Sequence, residues 1–155
     1  MTGKYEAAWR EAKETPEAFW GKAAELIEWE TPYDAVFTPG PAADYRWFAG
    51  GRLNTCFNAV DRHVRDGRAD QTALIYDSPL TGSQQKLTYR ELKDRVAMFA
   101  GALRACGVET GDRVVIYMPM VPEAIVAMLA TVRIGAVHSV VFGGSASNDL
   151  ATRIN

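Results

Sequence analysis

The sequence predicts an α/β fold: an N-terminal helical arm, a strap rich in proline, glycine and aromatic rings, a β-hairpin, and then a partial parallel sheet. Three observations carry this. Val114 to Tyr117, a continuous apolar run, and Val137 to Val141 read as strands separated by a helical pattern from Pro122 to Ile134. Thr88 and Glu91 form a Ser/Thr-x-x-Glu capping box ahead of another helical pattern. The last strand runs into Phe142-Gly143-Gly144, a turn at a strand end. A strand–helix–strand crossover is almost always right-handed, so its two strands run parallel. Ligands of open parallel sheets bind beyond the carboxyl ends of the strands. The predicted organisation is an arm and strap over residues 1–53 and an incomplete α/β subdomain over 54–155.

Residues 3–29 read as two short helices. Thr15 is placed to cap the second, with Pro16 at its first position and Glu17 facing the positive helix end. Phe19, Ala23, Leu26 and Ile27 recur at helical spacing, and Trp9, Trp20 and Trp29 add large anchors. Residues 30–53 read as irregular, punctuated by Pro32, Pro39, Gly40, Pro41, Gly50 and Gly51. Interleaved Tyr33, Phe37, Tyr45, Trp47 and Phe48 argue against a flexible linker and for an arm strapped over a larger body.

Asn54 is predicted to cap a helix to about Val64, with Phe57, Val60 and Val64 buried. Asp61, Arg62 and His63 are consecutive, so they spread over different faces and form no single cluster. Thr72 to Tyr76 and Gln85 to Leu87 form a hairpin around the turn formers Asp77 to Ser83. Behind the capping box, Leu92, Val96, Phe99, Ala100 and Leu103 line one helix face, and Gly107 sits where a left-handed C-cap belongs. Asp112-Arg113 reads as a turn. Val114 to Tyr117 reads as a strand covered on both faces. Arg133 complements a helix dipole, while Met118, Met120 and Met128 read as core filler.

The 155 residues carry 48% hydrophobic and 23% charged residues and a net charge of -2, an ordinary globular composition with no electrostatic case for nucleic acid or anionic membrane. No run approaches the roughly 20 apolar residues of a membrane span. The N-terminus shows no signal peptide. Cys56 and Cys106 lack metal-ligand spacing and read as buried free thiols of a cytosolic protein.

Phe142-Gly143-Gly144 is the best site candidate. Two glycines after a strand allow close backbone approach to a ligand, and Phe142 offers a flat face for an adenine-like ring. Ser145, Ser147 or Asn148 is placed to cap a following helix. A simple strand-to-helix turn is the other reading of the same residues. His138 reads as a structural histidine, on the same strand face as Val140. There is no nucleophile motif, zinc spacing or carboxylate pair, so no catalytic or metal-binding residue is assigned.

Taken together, these segments resemble the N-terminal part of the AMP-forming short-chain acyl-CoA synthetases, the acetyl- and propionyl-CoA synthetase branch of the adenylate-forming enzymes. The carriers are Gly50-Gly51-Arg52-Leu53-Asn54 with Asn58 and Asp61-Arg62-His63, then Leu87 to Leu92, Gly111 to Met120 with Pro122-Glu123, Arg133 to Ala136, and His138 to Gly144. Ala73 to Pro79 with Thr81-Gly82, and Tyr45 to Phe48, look more like propionyl-CoA than acetyl-CoA synthetases. The resemblance implies a fragment, inactive alone, of a cytoplasmic ligase. The full-length enzyme would use ATP, CoA and magnesium, with no cofactor expected on the fragment itself. Its partners would be a short-chain carboxylate, ATP, CoA and the rest of its own polypeptide. A homo-oligomer through the exposed edge of Val137 to Val141, or a non-enzymatic interaction module, is the alternative. Phe142, Gly143 and Gly144 match the family turn that contributes to the pocket for the CoA adenine. This chain departs from the family at Ser145, where phenylalanine is usual, and at Asn155, where an acidic residue is common.

Overall fold

A computed structural model describes residues 2–41 and 44–154; Asn155 lies outside them. The chain forms two compact units, Met1–Leu53 and Asn54–Asn155.

The first unit opens with helices α1 (Thr2–Glu14) and α2 (Pro16–Ala24). Pro16 stands in the first turn of α2, where its missing N–H costs nothing, and Glu17 shares that turn. Thr15 occupies the N-cap position but does not cap: its hydroxyl donates back to the Glu11 carbonyl at 3.1 Å. Helix α2 stops at Ala24, which is the buried residue of its face. Leu26 and Ile27, expected to extend that stripe, lie beyond the helix and are exposed.

Residues 30–53, expected to be irregular, contain two short strands. Strands β1 (Ala35–Thr38) and β2 (Arg46–Ala49) form an antiparallel pair in which Phe37 faces Trp47, and a bridge joins Thr31 to Arg52. Rings at alternate positions stabilise the pair across the strands: the Phe37 and Trp47 centroids are 4.8 Å apart. A second cluster packs Trp29 edge-on against Tyr33, with centroids 5.1 Å apart, and tilted against Phe48 at 5.5 Å. The aromatic residues of this segment thus also pack on one another.

In the second unit, Asn54 Oδ1 accepts the Phe57 N–H at 3.0 Å, the expected cap. The helix that follows is widened into a π turn at Phe57–Asp61 and breaks at Asp66 and Gly67, the latter at φ 86°. The widening shifts its buried face, so Cys56 and Val60 are in the core while Phe57 and Val64 are only half-buried. Strands β3 (Thr72–Ser78) and β4 (Ser83–Thr88) form the predicted hairpin, pairing Leu74 with Leu87.

Helix α3 (Tyr89–Ala105) starts on the complete capping box: the Thr88 N–H donates to Glu91 at 2.8 Å, and the Glu91 N–H donates to the Thr88 hydroxyl at 3.2 Å. Leu92, Val96 and Ala100 are buried, whereas Phe99 is 41% exposed at the margin of the stripe. The helix ends in a Schellman motif. Gly107, at φ 88°, donates to Arg104, and Val108 donates to Leu103. Cys106, expected to be buried, sits at this cap and is exposed.

Strand β5 (Arg113–Met118), helix α4 (Pro122–Arg133) and strand β6 (Val137–Phe142) form the crossover unit, and β5 and β6 are parallel. Helix α5 (Ser147–Ile154) follows. Leu87, Leu92, Val96, Ala100, Val126, Ala130 and Ile134 form the core between hairpin, α3 and α4, with Val114 packed against it. Strand β5 is not covered throughout. Ile116 is buried, but Tyr117 is 44% exposed, because neighbouring strand residues point to opposite faces. Among the described residues no helix is long and apolar enough to cross a membrane.

Candidate functional site

The carboxyl ends of β5 and β6 lie side by side, with Met118 paired to Phe142. The turn after β6 closes when the Ser145 N–H donates to the Phe142 carbonyl at 2.9 Å. Gly143 is needed for close approach, since a Cβ there would lie 2.8 Å from the Pro119 nitrogen and 2.9 Å from the Met118 carbonyl carbon. Gly144 lies against the Phe142 ring, and its Cβ would meet that ring at 2.7 Å. Both glycines thus have a packing reason that spacing alone did not disclose.

Phe142 is 65% exposed. It borders an open groove of about 500 Å³ between the β3–β4 turn and the segment after β5, lined also by Tyr76, Pro79, Leu80, Pro119 and Met120. Met120, expected in the core, is 74% exposed here. The lining suits a flat, largely apolar group stacked on a ring.

Sequence reasoning missed Tyr117. Its hydroxyl donates to the Ser145 carbonyl at 2.8 Å, so β5 holds the turn that follows β6. The available signal was its outward-facing position at the end of a parallel strand. Ser145, Ser147 and Asn148 do not cap α5. The residue before α5 is Ala146, whose carbonyl accepts from Asp149 at 3.0 Å.

Also missed was a tertiary anchor at the far end of α4. Arg133 is more than a dipole partner: its guanidinium grips both Asp61 oxygens at 2.8 Å. The hydrogen bonds it donates to Asp61 hold the Arg133 pKa above its ordinary value. Cys56 lies beside the pair, 3.6 Å from the guanidinium, and burial pushes its thiol pKa up, against the opposing pull of Arg133. Asn54 donates to the Arg133 carbonyl at 3.0 Å, and Thr110 to the Ile134 carbonyl at 3.0 Å. These bonds set where β6 begins. His63 faces away from this anchor, its ring 4.8 Å from that of Tyr89. Its pKa is lowered by desolvation and then by Arg62 and Arg68.

The structure brings Phe142, Gly143 and Gly144 together with Met118 and Pro119. It leaves His138 half-buried in mid-strand beside Val114. Asp112 shapes its own turn, accepting the Glu109 N–H at 2.8 Å.

Two family profiles match the chain: "AMP-binding enzyme" over residues 60–155 and "Acetyl-coenzyme A synthetase N-terminus" over residues 5–59. Acyl-CoA synthetase short-chain family member 3, mitochondrial, of Bos taurus is 48% identical over 153 residues, which is 99% of this chain and 22% of the relative. Acetyl-coenzyme A synthetase of Desulfatibacillum aliphaticivorans is 44% identical over 97% of this chain and 24% of the relative. The solved acetoacetyl-CoA synthetase from Streptomyces lividans superposes with a TM-score of 0.84 at 32% identity, covering 94% of this chain and 22% of that one. The chain therefore spans about a quarter or less of these relatives' length. On the profile covering residues 60–155 and on these relatives, the chain belongs to the AMP-binding enzyme family, with its similarity on the short-chain acyl-CoA synthetase side.

Proposed function

We propose that this chain is part of an ATP-dependent, AMP-forming propionyl-CoA synthetase. The observation that carries the ligase activity is its 48% identity, over 99% of its residues, to a short-chain acyl-CoA synthetase. The choice of propionate rests on Ala73 to Pro79, Thr81-Gly82 and Tyr45 to Phe48; acetate is the alternative acid. A carboxylate is a poor electrophile. Attack on the α-phosphorus of ATP expels pyrophosphate and leaves an acyl-adenylate; the CoA thiol then attacks the acyl carbon and AMP departs.

Phe142, Gly143 and Gly144 are proposed to contribute to the CoA adenine pocket, supported by the exposed ring at the groove and by the turn's rigid seating on Met118 and Pro119. Among the described residues no group of three His, Cys, Asp or Glu side chains could hold a metal ion, so no residue is assigned to magnesium, which would enter with ATP. A cytoplasmic location is proposed on the free thiols of Cys56 and Cys106. Val137 and Val140 are exposed on β6, a surface for the rest of the polypeptide to cover, with a second copy as the alternative. Light scattering on the full-length protein separates the two.

The test is carboxylate-dependent ATP–pyrophosphate exchange by the full-length protein, followed by CoA-dependent AMP release. Higher kcat/KM for propionate than for acetate is expected. Absence of exchange with every short acid overturns the ligase assignment, and a preference for acetate overturns the acyl choice.

A further inference from the structure

We propose that Tyr117 is a positioning residue for coenzyme A, acting through the turn that presents Phe142; this rests on the synthetase activity proposed above. Met118 pairs with Phe142, and Gly143 lies against the Met118 and Pro119 backbone, which together set the start of the turn. Its closing bond, Ser145 N–H to the Phe142 carbonyl, is 2.9 Å. The Tyr117 hydroxyl ties the far end back to the sheet at 2.8 Å, from a residue 28 positions earlier.

The bond is made to a backbone carbonyl, so it does not depend on the side chain at 145. That fits the departure noted above. With serine in place of phenylalanine, aromatic packing at that position is lost, but the anchor on Ser145 remains. An aromatic face binds a planar ring best when little freedom is left to lose, and side chains that hold a binding turn in place lower that cost. Tyr117 itself lines no part of the groove. Its hydroxyl therefore bears on the ligand only through Phe142 and the glycines, and that ligand is an adenine nucleotide bearing the attacking thiol. Adenylation precedes thiol attack and needs no CoA, so loss of the hydroxyl separates the two half-reactions.

The experiment is Tyr117→Phe in the full-length enzyme, which keeps the ring and removes the hydrogen bond. The KM for CoA rises about three- to tenfold, the range set by one such bond. ATP–pyrophosphate exchange, measured without CoA, and the KM for ATP are unchanged. In hydrogen–deuterium exchange, the amides around Ser145 exchange faster while those of α4 do not. An unchanged KM for CoA overturns the proposal. So does a parallel rise in the KM for ATP, or slower exchange with pyrophosphate, because a general structural role predicts either. If the unsubstituted protein shows no carboxylate-dependent exchange, the synthetase assignment fails and the inference fails with it.

Discussion

Asp61 and Arg133 stand 72 residues apart in the chain and meet through two hydrogen bonds of 2.8 Å. The pair is largely shielded, with side-chain exposures of 14% for Asp61 and 28% for Arg133. A two-pronged contact of this kind fixes orientation as well as distance. It joins the helix after Asn54 to the end of α4, just before the chain turns into β6.

Replacing Asp61 with alanine should destabilise the protein by about 2–3 kcal/mol, because the Arg133 guanidinium is left partly buried without its carboxylate. Urea unfolding of the two proteins measures this. A loss no larger than that of an exposed ion pair, about 0.5 kcal/mol, would show that water satisfies Arg133 equally well.

Gly143→Ala and Gly144→Ala should differ. At 143 the new methyl group meets the backbone of Pro119 and Met118 at 2.8–2.9 Å, and backbone cannot step aside. At 144 it meets the Phe142 ring, which can rotate away. Gly143→Ala should cost about 1–3 kcal/mol of stability. Gly144→Ala should cost less while displacing the ring. Melting curves rank the two, and equal losses would count against this account.

Thr88→Ala should remove about 1 kcal/mol by deleting the helix cap. It should also change how stability responds to acid. The Glu91 pKa is lowered, first by the bond from the Thr88 N–H and then by the Thr88 hydroxyl. A lowered carboxylate pKa contributes stability above its unfolded value and loses it as pH falls through the folded one. The melting temperature of the unsubstituted protein should therefore fall more steeply across that acid window than that of Thr88→Ala. Parallel curves would show that the Thr88 hydroxyl adds nothing to the hold of the residue-88 N–H on Glu91.

Cys106 and Cys56 should react with a thiol reagent on separate timescales. Cys106 is exposed at the end of α3. Cys56 is fully buried, and burial raises its pKa, so little thiolate forms at neutral pH. Peptide mass spectrometry after brief labelling should find Cys106 modified and Cys56 intact until denaturant is added. Early labelling of Cys56 would show that the Asp61–Arg133 anchor opens readily.

Much of the architecture was legible because its causes are local. The capping box spans Thr88 to Glu91, the helix stop needs only Gly107, and the parallel pairing of β5 with β6 follows from the handedness of one crossover. The errors arose where a pattern had two physical outcomes. Rings between prolines and glycines in residues 30–53 suggested an irregular segment, yet alternate rings also build a hairpin, and Phe37 faces Trp47. Phe99 and Leu26 matched helical spacing, but spacing does not tell where a stripe's margin or a helix's end falls. At the candidate site, the glycines and Phe142 were visible as a turn, while their packing on Met118 and Pro119 was not.

By itself the sequence determined the start of α3 at its capping box, its stop at Gly107 and the parallel crossover, because each depends on residues a few positions apart and on chain stereochemistry. Only the tertiary structure decided that Arg133 serves Asp61, that Tyr117 holds Ser145, and that Gly143 is required by a neighbouring strand. Those contacts depend on how separate segments pack, and periodicity carries no record of which distant backbone a side chain will meet.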